Sequence, residues 1–177
     1  MATGSGQDLE SKFRIVNDFP VKGIEFIDIT TLISDADGFA RVTDLFYEEY
    51  KDKGITQVVG VESRGFLIAS VLAYKLGAGV TLIRKPGKLP AETISESYDL
   101  EYGKNEIHIH KDALKKSDKV LLMDDLLATG GTIAASLKLI EKFECEVSGI
   151  AFIVELDFLN GRDKFPGHEI FSLVRRG

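Results

Sequence analysis

A chain of 177 residues can bury one sizeable core and fits a single domain, and its net charge of −6 disfavours a generic nucleic-acid binder. No apolar run approaches the roughly 20 residues that a bilayer span needs, so no membrane insertion is expected. A lone cysteine, Cys145, excludes an internal disulfide and fits a reducing, cytoplasmic setting.

Residues 1–12 carry neither an apolar core nor a cleavage signature and read as a disordered leader ahead of one domain spanning 13–177. Phe39, Val42, Phe46 and Tyr50 recur at helical spacing and predict a helix over about 37–53, closed by Gly54. Thr56 to Val61 predicts a short apolar strand of the kind buried on both faces. A Glu-Ser-Arg-Gly turn leads into a second helix, Phe66 to Leu76, apolar almost all round. Val80 to Arg84 predicts the next strand, and a polar stretch with Pro86 and Pro90 runs on to about Lys104. A loop of that length is usually a functional lid or disordered. Alternation at Ile107 and Ile109 precedes a buried strand over Lys119 to Met123. A helix with Ile133, Leu137 and Ile140 on one face follows, and Val147 to Leu156 supplies a further strand.

Strands alternating with helices predict an α/β fold, a mostly parallel sheet with helices on both faces. Ligands of such sheets bind outside the carboxyl ends of the strands. Three segments then stand on the functional rim: Glu62 to Gly65, Lys85 to Lys88 and Asp124 to Thr132.

The last of these has the strongest chemical content. An apolar strand runs into the paired carboxylates Asp124 and Asp125, and a short turn, Ala128-Thr129-Gly130-Gly131-Thr132, opens a helix. A helix N-terminus presents unpaired N–H groups and partial positive charge, which suits a phosphate. The glycines let the backbone approach its oxygens, and the threonines add hydroxyl donors. Aspartates repel a phosphate but accept hydrogen bonds from a vicinal diol, so the combination suits a ribose phosphate. Plain helix capping is the competing explanation, and the adjacent acidic pair argues against it. No Gly-Lys-Ser/Thr follows the glycines, so the turn is not a Walker loop.

Arg84, Lys85 and Lys88 form a basic cluster that is conspicuous in an acidic chain, and Ser63-Arg64-Gly65 occupies a tight turn between buried elements. Both could supply positive charge and donors to a polyanion. At the far end of the polar stretch, Glu101 could act as a proton acceptor, with Tyr102 beside it in the lid.

These residues resemble the type I phosphoribosyltransferases, whose fingerprint is the apolar strand, acidic pair and Ala-Thr-Gly-Gly-Thr turn. The resemblance tightens to the adenine-using branch through Phe19-Pro20, Gly23 to Phe26, Gly60 to Phe66, Ile83 to Pro90, Ser97 to Gly103 and Val154-Glu155-Leu156. It spans nearly everything after the leader. It implies transfer of a phosphoribosyl group from phosphoribosyl pyrophosphate to adenine, giving AMP and pyrophosphate in purine salvage, by a homodimer with a small N-terminal hood and a lid loop.

By the same resemblance, Asp124, Asp125 and Ala128 to Thr132 hold the ribose 5-phosphate, while Ser63, Arg64, Arg84, Lys85 and Lys88 hold pyrophosphate. Phe26 stacks on adenine, backbone at Glu25 and Ile27 meets the base edge, and Glu101 is the acid/base residue. Many relatives carry a basic residue at the position of Ile27; a backbone contact survives that change. Magnesium is implied with the donor, held mainly through substrate oxygens and water, with no direct protein ligand set. Another purine base, such as hypoxanthine, guanine or xanthine, is the alternative substrate. A non-catalytic regulator of the same fold would require an attached DNA-binding unit.

Overall fold

The computed structural model describes residues 6–99 and 104–177. Its frame is a five-stranded parallel sheet made of β3 (Gln57–Val61), β4 (Gly79–Ile83), β7 (Lys119–Leu127), β8 (Glu146–Leu156) and β9 (Ile170–Arg176), in the order β4-β3-β7-β8-β9. These strands are apolar because both faces are covered. Val58, Leu121, Met123, Ala151 and Ile153 face one core, whereas Val59, Val61, Leu122, Ile150 and Phe152 face the other, as a period of two requires. The helices α2 (Ala36–Tyr50) and α3 (Gly65–Leu76) pack on the first face, after the short α1 (Thr30–Ser34). Helix α4 (Gly131–Glu141) covers the second, burying Ile133, Leu137 and Ile140 as their spacing predicts.

Two antiparallel pairs form small sheets of their own: β1 (Arg14–Asn17) with β2 (Glu25–Asp28), and β5 (Thr93–Asp99) with β6 (Lys104–His110), the latter bridged to the end of β4 through Arg84 and His108. The β5–β6 pair corrects the expectation of an uninterrupted loop to Lys104. Ile94 and Tyr98 alternate with polar residues and pack beside α4, so only one face of the hairpin is apolar.

Part of the stretch expected to be a disordered leader is ordered. Gln7–Lys12 form a 3-10 helix whose Leu9 is fully buried, because it meets the core beside Leu173 and Val174 of β9.

From β3 the chain crosses through α3 to β4 on one side, then returns to β7 on the other. The order therefore reverses between β3 and β7, and a crevice opens at such a switch point, outside the carboxyl ends of the strands. Val61 and Asp124 stand at this rim.

Candidate active site

A cleft of about 690 Å³ opens at the switch point and is lined by Ser63, Arg64, Lys85, Asp124, Asp125 and Thr132, among others. A smaller recess of about 110 Å³ adjoins it, walled by the turn from Ala128 to Thr132. The structure thus brings together most of the residues that the sequence singles out from three separate segments.

The recess is built by the entry to α4. Gly130 adopts φ +77°, a left-handed conformation in which other residues are strained. A Cβ there would also lie 2.8 Å from Phe165 Cζ. Helical geometry begins at Gly131 with no side-chain cap, so the first backbone N–H groups face the recess end of the helix. Thr132 Oγ1 donates to Tyr98 Oη at 3.1 Å, which carries the β5–β6 hairpin to the rim of the recess. Tyr98 lines both spaces, yet in the sequence it is one more aromatic residue of a polar stretch.

The acidic pair lies inside β7, which continues to Leu127, and does not end the strand at Met123 as expected. Asp124 pairs in register with Phe152, and Leu126 and Leu127 extend the ladder, so both carboxylates are fixed by strand hydrogen bonding. Successive strand residues point to opposite faces. Asp124 Oδ1 accepts the Asp125 N–H at 2.9 Å, which ties the pair together locally. Part of Asp124 faces the cleft, but the dense surroundings desolvate its carboxyl. That burial, with the like charge of Asp125 beside it, pushes its pKa well above the ordinary carboxylate value. Asp125 is buried and receives the Nε–H of Arg64.

Arg64 precedes α3, whose first residue, Gly65, must be small because a Cβ would lie 2.9 Å from Met123 O. The guanidinium carbon sits 5.6 Å from the centroid of Phe26, itself edge-on to Phe19 at 5.1 Å. Phe26 does not line the cleft but is linked to it through Arg64. Glu25 turns its carboxylate to Arg176 at 3.2 Å, and the Ile27 side chain is buried in the core. This strand can therefore offer a ligand its backbone and Phe26 rather than those two side chains.

The basic cluster divides. Lys85 lines the cleft and donates its backbone N–H to Glu62 at 2.9 Å. Arg84 instead pairs with Glu62 at 3.2 Å, donates to Lys88 O at 3.0 Å and stacks over Phe66. Burial resists ionisation of Glu62, but the donors from Lys85 and Arg84 outweigh it and hold its pKa below the ordinary value. Lys88 is exposed and lies outside the lining. Glu62, which the sequence places on the functional rim without a role, is a wall of the cleft. Glu101 and Tyr102 lie outside the described residues, although Tyr98 and Asn105 on either side line the cleft.

A parallel sheet with paired aspartates on its central strand, a recess at the entry to α4 and a cationic turn, all gathered at its switch point, is the arrangement of the type I phosphoribosyltransferases. The phosphoribosyl transferase domain family matches residues 32–166, and the chain belongs to that family. It is 52% identical over 169 residues to the adenine phosphoribosyltransferase of Geotalea daltonii, covering 96% of this chain and 99% of that one. The crystal structure of adenine phosphoribosyltransferase from Thermoanaerobacter pseudethanolicus superposes with a TM-score of 0.93 at 44% identity, covering 97% and 100% of the two chains. The Saccharomyces cerevisiae enzyme, solved with an imino-altritol bisphosphate and adenine, gives 0.90 at 37% identity, covering 95% and 97%.

Proposed function

We infer that this chain transfers the 5-phosphoribosyl group of phosphoribosyl pyrophosphate to adenine, releasing AMP and pyrophosphate. The observation that carries this reading is the placement of Asp124 and Asp125 between the recess of Ala128 to Thr132 and the cationic turn at Arg64. The 5-phosphate occupies the recess, where α4 supplies N–H groups and positive potential. The two ribose hydroxyls donate to the aspartates, and the pyrophosphate lies toward Ser63, Arg64 and Lys85.

In the reaction, a base nitrogen forms a bond to the anomeric carbon while the bond from that carbon to the pyrophosphate oxygen breaks. Negative charge grows on the leaving group and positive character on the sugar, so Arg64 and Lys85 act where charge develops. The proton on the attacking nitrogen passes to Glu101, and Phe26 with backbone at Glu25 and Ile27 receives the base. The β1–β2 pair serves as the hood and the β5–β6 hairpin as the lid that excludes water.

Among the described residues, no group of three or more metal-ligating side chains converges. The carboxylate oxygens of the cleft still suit a hard cation arriving on the donor's own oxygens. A magnesium ion held there on the donor's oxygens would supply positive charge beside the leaving group.

A homodimer is supported by the outer face of the sheet edge. Tyr74 is 86% exposed on α3, with Leu67 on the same helix and Val80 and Leu82 on the edge strand β4. Edge strands and apolar faces of this kind are normally covered. Tyr74→Glu is expected to shift the sedimentation profile to the monomer; an unchanged dimer would place the contact elsewhere. No described helix is long and apolar enough to cross a membrane, and the single cysteine supports a reducing cytoplasm.

Incubation with magnesium, the donor and each free purine in turn tests the reaction. AMP should form from adenine at a rate well above IMP, GMP or XMP formation; preference for another base would reassign the substrate. Glu101→Ala should lower kcat by about 100-fold, the span of general acid–base catalysis, with donor KM changed less than about threefold. Equal turnover would remove Glu101 from the mechanism.

A further inference from the structure

Glu155 is a charged side chain at only 3% exposure, one strand away from the phosphate turn. It lies on β8 opposite Leu127, the last residue of β7 before that turn begins. Its carboxylate accepts Arg162 Nε at 2.8 Å, Arg162 Nη2 at 2.6 Å and Ser172 Oγ at 2.6 Å. A bidentate guanidinium fork fixes orientation as well as distance. Burial works against the charge, but the Arg162 and Ser172 hydrogen bonds win and keep the carboxyl below its ordinary pKa. Nothing in the transfer chemistry uses this network.

Its position explains why it is there. Arg162 belongs to the 3-10 turn Gly161–Lys164, and its Nη1 also donates to Ile170 O at 3.3 Å. Gly161, which opens this turn, and Phe165, which follows it, pack from behind against the loop that lines the recess. A Cβ on Gly161 would lie 2.1 Å from Ala128 O, so the two backbones touch directly. Gly130, the left-handed residue of the recess, has Gly161 O and the Phe165 ring at 2.9 and 2.8 Å from where its own Cβ would be. Phe165 is buried at 3% exposure. Arg162 thus stands between the two residues that press on the phosphate turn, and Glu155 holds it in place.

We propose that Glu155 and Arg162 are positioning residues for the donor's 5-phosphate: their ion pair clamps the 161–165 turn against Ala128 and Gly130 and sets the shape of the recess. The proposal rests on the reading of residues 128–132 as the phosphate site. Displacement of a binding group by about 1 Å through a remote change can cost about 100-fold in rate. A clamp beneath the recess therefore acts on donor binding while leaving the base site alone.

The test is a graded series: Ser172→Ala, Arg162→Lys, Glu155→Gln and Gly161→Ala. Each is examined by titration with ribose 5-phosphate, by steady-state kinetics and by thermal melting. Ribose 5-phosphate affinity should fall about twofold to threefold for Ser172→Ala, about fivefold for Arg162→Lys, and at least about tenfold for Glu155→Gln and Gly161→Ala. Donor KM should rise in parallel and adenine KM should stay within about twofold. Gly161→Ala touches no charge, so it reports on the wall alone if Glu155→Gln does not fold.

Gly131→Asp separates this proposal from the reading beneath it. A carboxylate there repels a phosphate in the recess but suits a helix N-terminus, and its Cβ meets only the Tyr98 ring, at 3.3 Å. Undiminished ribose 5-phosphate binding by Gly131→Asp would overturn the phosphate site itself. Loss of binding in Gly131→Asp, with wild-type affinity across the clamp series whatever the melting temperatures, would overturn the clamp.

Discussion

Asparagine at both Asp124 and Asp125 should weaken binding of the phosphoribosyl donor by about 100-fold or more. A hydrogen bond to a charged group contributes about 1.5–3 kcal/mol, so two of them together span roughly 10²–10⁴-fold. Asparagine retains a carbonyl acceptor at the same place, which sets the expectation at the lower end. Isothermal titration with the donor measures this directly, and unchanged affinity would return the pair to a purely structural role.

The single variant Asp124→Asn should separate binding from stability. The pKa of Asp124 is raised by burial first and by the Asp125 charge second. The folded state then holds the proton more tightly than the unfolded state. Stability from this group is complete below the unfolded pKa and is lost as pH rises through the higher folded one. At neutral pH, above the unfolded pKa, the group therefore costs stability that the site retains. Asp124→Asn should therefore melt about 2–4 °C higher at pH 7, the shift that about 1 kcal/mol gives at this size. The difference should vanish in acid, where Asp124 is protonated in any case. A lower melting temperature at pH 7 would contradict the assignment.

How far the sequence discloses this site depends on whether a residue acts through local pattern or through long-range contact. The strand, acid pair, turn and α4 form one continuous segment, so their spacing alone places Asp124, Asp125 and the recess. The sheet strands are legible for the same reason, since burial on both faces leaves an unbroken apolar run such as Leu121 to Met123. The β5–β6 hairpin is not, because its apolar residues Ile94 and Tyr98 are spaced among Thr93, Ser95 and Ser97 and read as a polar loop. Leu9 is a single apolar residue in a polar segment, and only contact with β9 reveals its helix as part of the core. Arg84 looks like a free cation in sequence, whereas Glu62, 22 residues earlier, claims it in space. Glu155 and Arg162 are silent for a similar reason, since their geometry depends on a turn folding back against Ala128.

Arg64→Met should have the other large effect, lowering kcat by about 100-fold or more. Methionine keeps an apolar stem to pack near Phe26 but removes the guanidinium. The Arg64 Nε–H is spent on Asp125, and among the described residues its other donors have no hydrogen-bond partner, which suits the leaving-group role proposed for it. A preorganised cation is most effective where charge develops, and loss of one such donor typically costs 10²–10³ in kcat. If Arg64 only held the ground state, donor KM would rise with kcat unchanged. Arg64→Lys keeps the charge but not the planar fork and should fall between the two. The pairing with Asp125 adds a further expectation. Removing Arg64 also loosens Asp125, to which the proposed function assigns a ribose hydroxyl, so the effects of Arg64→Met and Asp125→Asn on kcat/KM should not multiply. The double variant should be less impaired than the product of the single effects. Fully multiplicative losses would mean that leaving-group and ribose binding are independent, and that the ion pair between them has no part in catalysis.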